Sequence, residues 1–93
     1  MIIIADGGST KTNWCLVTEE GKKVYFNTEG YNPYFSSTEY IIQSLNESLP
    51  IDLDKNDITE VNYYGAGCST PDMRNMVKVA MDAVFTRAQV NIA

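Results

Sequence analysis

The residues best suited to chemistry lie near the start of the chain, where a short apolar run ends in a pair of glycines. The run is Ile2–Ala5, and the segment DGGSTKT follows it. Glycines let backbone N–H groups approach an anion closely, and the hydroxyls and the lysine add hydrogen bonds and charge. A neighbouring carboxylate suits hydrated Mg²⁺, which takes few carboxylates and keeps several waters. The predicted phosphate-binding residues are Asp6, Gly7, Gly8, Ser9, Thr10, Lys11 and Thr12, with Asp6 beside the metal.

An ordinary hairpin turn with a solvated lysine is the alternative, because turns of the Asp-Gly-Gly type are common. The Ser-Thr-Lys-Thr run directly behind an apolar strand favours the phosphate site. The segment is not a Walker A loop. In that motif the lysine follows a glycine and a helix comes next, whereas Lys11 follows Thr10 and precedes β-forming residues.

Two further segments are candidates for contacts with a substrate. Gly65, Ala66 and Gly67 follow a predicted strand and resemble an imperfect GxGxxG, with Thr70 in the third glycine position. A turn facing a substrate cleft or simple close packing of backbone explains them. Asn32 is held extended by the following proline, and its amide could hydrogen-bond sugar hydroxyls beside the aromatic rings. A rigid turn with core aromatics explains the segment GYNPYF equally well.

The elements that must position these residues follow the order β-β-β-α-β-α-β. Strands are predicted at residues 2–5, 12–17, 23–28, 58–64 and 90–93. One helix begins at Ser36, in a capping box with Glu39, and the other begins at Thr70. The first three strands form an antiparallel meander, and the later two are reached through helices and so run parallel. This is an α/β fold of mixed sheet, a ribonuclease-H-like half-domain without its final helix. The continuous apolar run of the first strand indicates cover on both faces.

Bulk composition excludes several classes of protein. The chain has 93 residues, a formal charge of −5 and scattered cations, which argues against nucleic-acid binding. It has no histidine and two distant cysteines, so a conventional zinc site is excluded. The apolar start is too short for a signal peptide or a membrane span. We therefore expect one folded domain over residues 1–93, in the cytoplasm, with no membrane partner.

The segment IIIADGGSTKTNWCLV resembles the first phosphate motif of the BadF/BadG/BcrA/BcrD ATPase family, whose members include N-acetylglucosamine-kinase-like proteins. The segments GYNPYF and YYGAG are also similar to that family, so the resemblance covers essentially the whole chain. It implies an actin-like fold in which two ribonuclease-H-like domains hold ATP and Mg²⁺ between them. It also implies a sugar kinase that transfers the γ-phosphate to a sugar hydroxyl.

Carried onto this sequence, the resemblance places Asp6 near the metal and Gly7–Thr12 against the β- and γ-phosphates. It places Asn32 and Gly65–Gly67 beside the sugar. The catalytic aspartate of such kinases follows the fifth strand, and the adenosine motif lies further on. We therefore expect an N-terminal part of a longer kinase that has no catalytic base up to Ala93 and is inactive alone. Exposed apolar faces should make it self-associate.

Two other interpretations remain open, and a third is set aside. An activator ATPase of a dehydratase would use cysteines to hold an iron–sulfur cluster, and Cys15 and Cys68 lack a suitable spacing. A non-catalytic interaction module would keep the fold without the catalytic activity. A ribonuclease-H-type nuclease needs several carboxylates for two metals, and the fourth strand ends without one.

Overall fold

In the part of the chain that the computed structural model describes, residues 1–8, 10–32, 36–50, 52–65 and 70–93, five strands form one sheet. The strands are β1 (Ile2–Gly7), β2 (Lys11–Val17), β3 (Lys23–Glu29), β4 (Glu60–Gly65) and β5 (Gln89–Ile92). The helices are α1 (Thr38–Ser48) and α2 (Pro71–Val84), with a 3₁₀ turn at Lys55–Asp57 before β4.

The strand order in the sheet is β3-β2-β1-β4-β5. β1 pairs antiparallel with β2, and β2 pairs antiparallel with β3. β4 pairs parallel with both β1 and β5. The predicted order and mixed sheet are confirmed. β1 is central and paired on both sides, so its carboxyl end lies between the start of β2 and the end of β4.

α1 begins one residue later than predicted. The Ser37 hydroxyl oxygen accepts a hydrogen bond from the Tyr40 N–H at 3.2 Å, and the Ser37 backbone is extended, as a helix-capping residue requires. The predicted cap, Ser36, is wrong, and so is its capping box with Glu39. Ser36 is buried, and its own N–H donates to the Asn32 carbonyl at 2.9 Å. Only Ser36 has a glutamate three residues later, and the structure places the cap at Ser37 without that pair.

α2 begins as predicted. The Thr70 hydroxyl oxygen accepts from the Met73 N–H at 3.2 Å, and Pro71 takes the first helical position, where its missing N–H costs nothing. Its buried residues repeat at three- and four-residue intervals along one side of the helix: Val77, Ala80, Met81 and Val84. Neither described helix is long and apolar enough to cross a membrane.

The two faces of the sheet differ sharply in burial. On β1, Ile3 and Ala5 are fully buried, whereas Ile2 and Ile4 are 38% and 44% exposed. The prediction that β1 is covered on both faces is therefore wrong for this chain, because both helices pack on the same side. We call the helix-covered side the packed face and the other the open face. On the open face, strands β1 to β4 carry Ile2, Ile4, Asp6, Lys11, Asn13, Cys15, Val17, Lys23, Tyr25, Asn27, Glu29, Glu60, Asn62 and Tyr64.

Candidate functional site

A tight hairpin joins β1 to β2 and contains the residues that we predicted to bind phosphate. The Gly8 N–H donates to the Lys11 carbonyl at 2.8 Å and closes the turn. Asp6 and Gly7 belong to β1 rather than to the turn, since Gly7 pairs with Thr12 on one side and with Gly65 on the other. Ser9 lies outside the described residues.

A row of polar side chains crosses the open face where the hairpin leaves the sheet. By strand register the row runs through Asn27, Asn13, Asp6 and Tyr64, from β3 to β4. Asp6 and Asn13 are exposed cross-strand partners, and such partners have Cβ atoms about 4.5–5.5 Å apart. We call these four residues the polar row. It presents a carboxylate, two amides and a phenol to solvent on the open face.

Sequence reasoning missed Asn13. In the sequence it is a polar residue inside a β-forming run, and its position opposite Asp6 follows only from the strand pairing. The available signal was the alternation along β2, which places Asn13 on the same face as Lys11, two residues earlier. Lys11 itself is exposed and is the cross-strand partner of Glu29. The hairpin therefore brings a carboxylate, an amide and an ammonium group to one face.

Asp6 is the one carboxylate of the polar row, and its contact with a metal stays a prediction. Among the described residues, no three acidic, histidine or cysteine side chains cluster in a way that would hold a metal ion. One exposed carboxylate with neighbouring amide oxygens matches Mg²⁺, which binds through one or two carboxylates and keeps several waters. It does not match the two-metal carboxylate cluster of nucleases.

Thr12 points away from the polar row and into the packed face. Its side chain is fully buried, and its hydroxyl donates to the Glu29 carbonyl at 3.1 Å. The Thr28 hydroxyl donates to the same carbonyl at 2.9 Å and accepts from the Trp14 indole N–H at 2.9 Å. The Thr12 side chain thus ties the hairpin to the end of β3, and any contact with a phosphate would come from its backbone.

The predicted substrate-side residues are only partly described. Gly65 ends β4 directly beside Gly7, so β4 ends at the same edge of the sheet as the hairpin. Ala66 and Gly67 lie outside the described residues. Asn32 is half-buried and follows Tyr31, whose hydroxyl lies 2.9 Å from the Ser44 hydroxyl of α1. The anchored tyrosine fixes where the Asn32 segment leaves the core.

Two tyrosines, one directly before Asn32 and one in α1, have raised pKa values. Burial raises the pKa of Tyr31, and hydrogen bonds with Ser44 and Thr28 offset part of that effect. A hydrogen bond to Glu29 is the main reason that the pKa of Tyr40 is raised. Both phenols therefore favour the neutral form.

The strand order and the two helices on one face define the chain as a ribonuclease-H-like half-domain, of the kind that forms the N-terminal lobe of actin-like ATPases. Over its full length it matches the crystal structure of a "Putative N-acetylglucosamine Kinase" from Porphyromonas gingivalis, with a TM-score of 0.85 and 35% sequence identity. The chain spans 34% of that protein's length. No family model and no curated protein matches it.

Proposed function

We propose that this chain is the phosphate-binding part of an ATP-dependent sugar kinase. The observation that carries the proposal is the hairpin, which sets Asp6, Asn13 and Lys11 on one exposed face at the carboxyl end of β1. Ligands of open α/β sheets bind at the carboxyl ends of the parallel strands. The likeness to a protein titled as an N-acetylglucosamine kinase supports sugar as the substrate class.

Each residue has a distinct part in this proposal. Asp6 would bind water molecules of the metal ion. The Asn13 amide beside it would offer an oxygen or an N–H group to the same water molecules or to the phosphates. Lys11 and the backbone of Gly7 and Gly8 face the phosphates, and Ser9 and Thr10 add hydroxyls. Magnesium-bound ATP supplies the transferred phosphoryl group, and the metal offsets its negative charge. The Thr12 side chain keeps the hairpin attached to β3.

The sugar is assigned to the neighbouring edge of the sheet. Asn32 and the turn Gly65–Gly67 would hydrogen-bond its hydroxyls, and neither supplies a proton acceptor strong enough to act as a base. No catalytic base is therefore proposed within residues 1–93, and we expect the chain alone to bind Mg²⁺-ATP weakly without transferring phosphate. Positioning and electrostatic stabilisation are the two contributions this segment can make to phosphoryl transfer.

The test is an NMR titration of the ¹⁵N-labelled chain with ATP, with and without Mg²⁺. We expect Mg²⁺-dependent shifts at the amides of Asp6 to Lys11. Asp6→Asn keeps the shape and removes the charge, and hydrogen bonds to charged groups contribute about 1.5–3 kcal/mol. The dissociation constant should therefore rise by about tenfold or more.

Asp52→Asn is the matched control, because Asp52 is an exposed carboxylate outside the hairpin and its loss changes the net charge equally. Its titration should match that of the wild type. Absence of Mg²⁺-dependent shifts in the hairpin, or equal effects of the two substitutions, would contradict the proposal. Either result would favour a non-catalytic interaction module.

A further inference from the structure

Tyr63 lies on the packed face of the sheet, next to the ends of β1 and β4. Its side chain is 1% exposed. The last residues of these strands, Gly7 and Gly65, are paired neighbours in the sheet. Both lack a side chain on the packed face, and the tyrosine ring occupies the space that those two side chains would fill.

The distances show how completely the ring fills that space. A Cβ atom added to Gly7 would lie 2.6 Å from the Tyr63 hydroxyl oxygen and 3.1 Å from Cζ. A Cβ atom added to Gly65 would lie 2.2 Å from Cε1 and 3.0 Å from Cζ. Contacts under 3.0 Å are essentially never made by real Cβ atoms, so neither glycine tolerates a side chain unless the ring moves.

Other aromatic rings restrict that movement. The Trp14 ring lies 6.0 Å from the Tyr63 ring, centroid to centroid, at a tilt of 50°. Trp14 in turn stacks on Phe26 at 5.6 Å and is held by its hydrogen bond to Thr28. Close-packed interiors resist small displacements. The ring of Tyr63 is therefore held between Trp14 on one side and the ends of β1 and β4 on the other.

Backbone conformation does not explain these two glycines. Among the described glycines, only Gly21, in the turn between β2 and β3, has a positive φ, at 83°. Gly7 thus has a backbone that alanine can adopt, and its close neighbour is the tyrosine ring. The glycine–tyrosine contact is a requirement separate from close approach to an anion.

We propose that Tyr63 is a positioning residue that sets the position of the hairpin relative to the end of β4. This inference rests on the proposed function, in which the hairpin faces the phosphates and the segment that starts at Gly65 faces the sugar. Small displacements of positioning groups cost up to about a hundredfold in rate. A ring that contacts both strand ends keeps the two halves of such a site in register.

The experiment uses Gly7→Ala and Gly65→Ala, each alone and combined with Tyr63→Phe. Its readouts are thermal unfolding and hydrogen exchange of the Gly8 amide, whose bond to Lys11 closes the hairpin. We expect Gly7→Ala to lower Tm and speed Gly8 exchange. Tyr63→Phe should restore both in part, because it removes the nearest atom, the hydroxyl oxygen at 2.6 Å, and leaves Cζ at 3.1 Å and the Thr12 hydroxyl oxygen at 3.3 Å. It should not rescue Gly65→Ala, where the nearest atom belongs to the ring.

Gly21→Ala is the matched control. It is strained because of its positive φ, and its turn lies at the opposite end of β2 from the hairpin. It should lower Tm while leaving Gly8 exchange, measured against other β2 amides, unchanged. Failure of Tyr63→Phe to rescue Gly7→Ala would overturn the inference. If Gly7→Ala does not fold, a folded double variant supports the inference and an unfolded one overturns it.

Mg²⁺-ATP binding separates this inference from the proposed function. With the proposed function correct, Gly7→Ala should weaken binding about tenfold or more, and the Tyr63→Phe double variant should regain it. If the wild type shows no Mg²⁺-dependent binding, the proposed function fails. The exchange data would then still decide whether Tyr63 sets the geometry of the hairpin.

Discussion

The packed and open faces of the sheet are built from the same strands, yet they serve different purposes. Ile3 and Ile4 are neighbours of identical type on β1, and one is fully buried while the other is 44% exposed. The packed face is closed by two helices, an aromatic layer and buried hydroxyls that bond to backbone. The open face holds the polar row at one end and an apolar area around Ile2 and Ile4 at the other.

This difference shows where the chain keeps its stability and where it can bind. Thr12 and Asn13 are adjacent in the sequence, and alternation of side chains along β2 sends them to opposite faces. The first is used to hold the hairpin, and the second is available to a ligand. A candidate phosphate site can therefore be mutated on the open face at little cost to folding.

The largest expected effect is the difference in free energy of unfolding between a substitution on the packed face and one on the open face. Ile3→Ala removes buried methyl and methylene groups and should lower the free energy of unfolding by about 2–5 kcal/mol. Ile4→Ala removes the same atoms from a half-exposed position and should cost under about 1 kcal/mol. Urea denaturation followed by Trp14 fluorescence measures both. Equal losses would mean that the open face is covered in solution.

A second prediction concerns association through the open face. The paired substitutions Ile2→Thr and Ile4→Thr keep β-branched shape and remove exposed apolar area. We expect the wild-type chain to self-associate, and the double variant to raise the dissociation constant about tenfold, or ~1.4 kcal/mol. Light scattering across a concentration series measures this.

Val24→Thr provides the control for association, because Val24 is exposed but belongs to the other side of the sheet. It should leave the association unchanged. A wild-type chain that stays monomeric at high concentration would contradict the expectation of self-association, and equal effects of all substitutions would move the contact elsewhere.

Much of the fold was predictable because its signals are local. Thr70-Pro71 and the apolar repeat of α2 mark that helix, and the polar turns around Gly8 and Gly21 mark the first two hairpins. The cap of α1 was misassigned because the capping-box pattern selects Ser36, which lies three residues before Glu39, whereas Ser37 caps the helix without a glutamate partner. The second face of β1 was misjudged because a run of four apolar residues is the same whether one face is covered or two.

The candidate site was only partly predictable, for a different reason. Asp6 and Lys11 carry recognisable chemistry in the sequence, and their role as phosphate and metal contacts stays a prediction. Asn13 and Tyr63 matter through neighbours across strands, and a linear pattern contains no register. Burial of the Thr12 hydroxyl likewise follows from pairing with β3, whereas its sequence context resembled that of an exposed ligand.

The smallest expected effect compares the buried Tyr31 with Tyr25 of the open face at alkaline pH. Burial raises the pKa of Tyr31 above its ordinary value of 10.0, so folding favours the neutral ring. The stability that results is complete below pH 10 and is lost as pH rises through the folded-state pKa.

Tyr31→Phe cannot ionise, and its free energy of unfolding should therefore fall less than that of the wild type above pH 10. Tyr25→Phe, at an open-face position that is 71% exposed, is the matched control for replacing a tyrosine by phenylalanine. Urea denaturation at several pH values from 8 upwards measures the three slopes. If Tyr31→Phe and the wild type lost stability in parallel, the phenol would be solvated in the folded state. The anchor between the Asn32 segment and α1 would then be weaker than its 2.9 Å contact with Ser44 indicates.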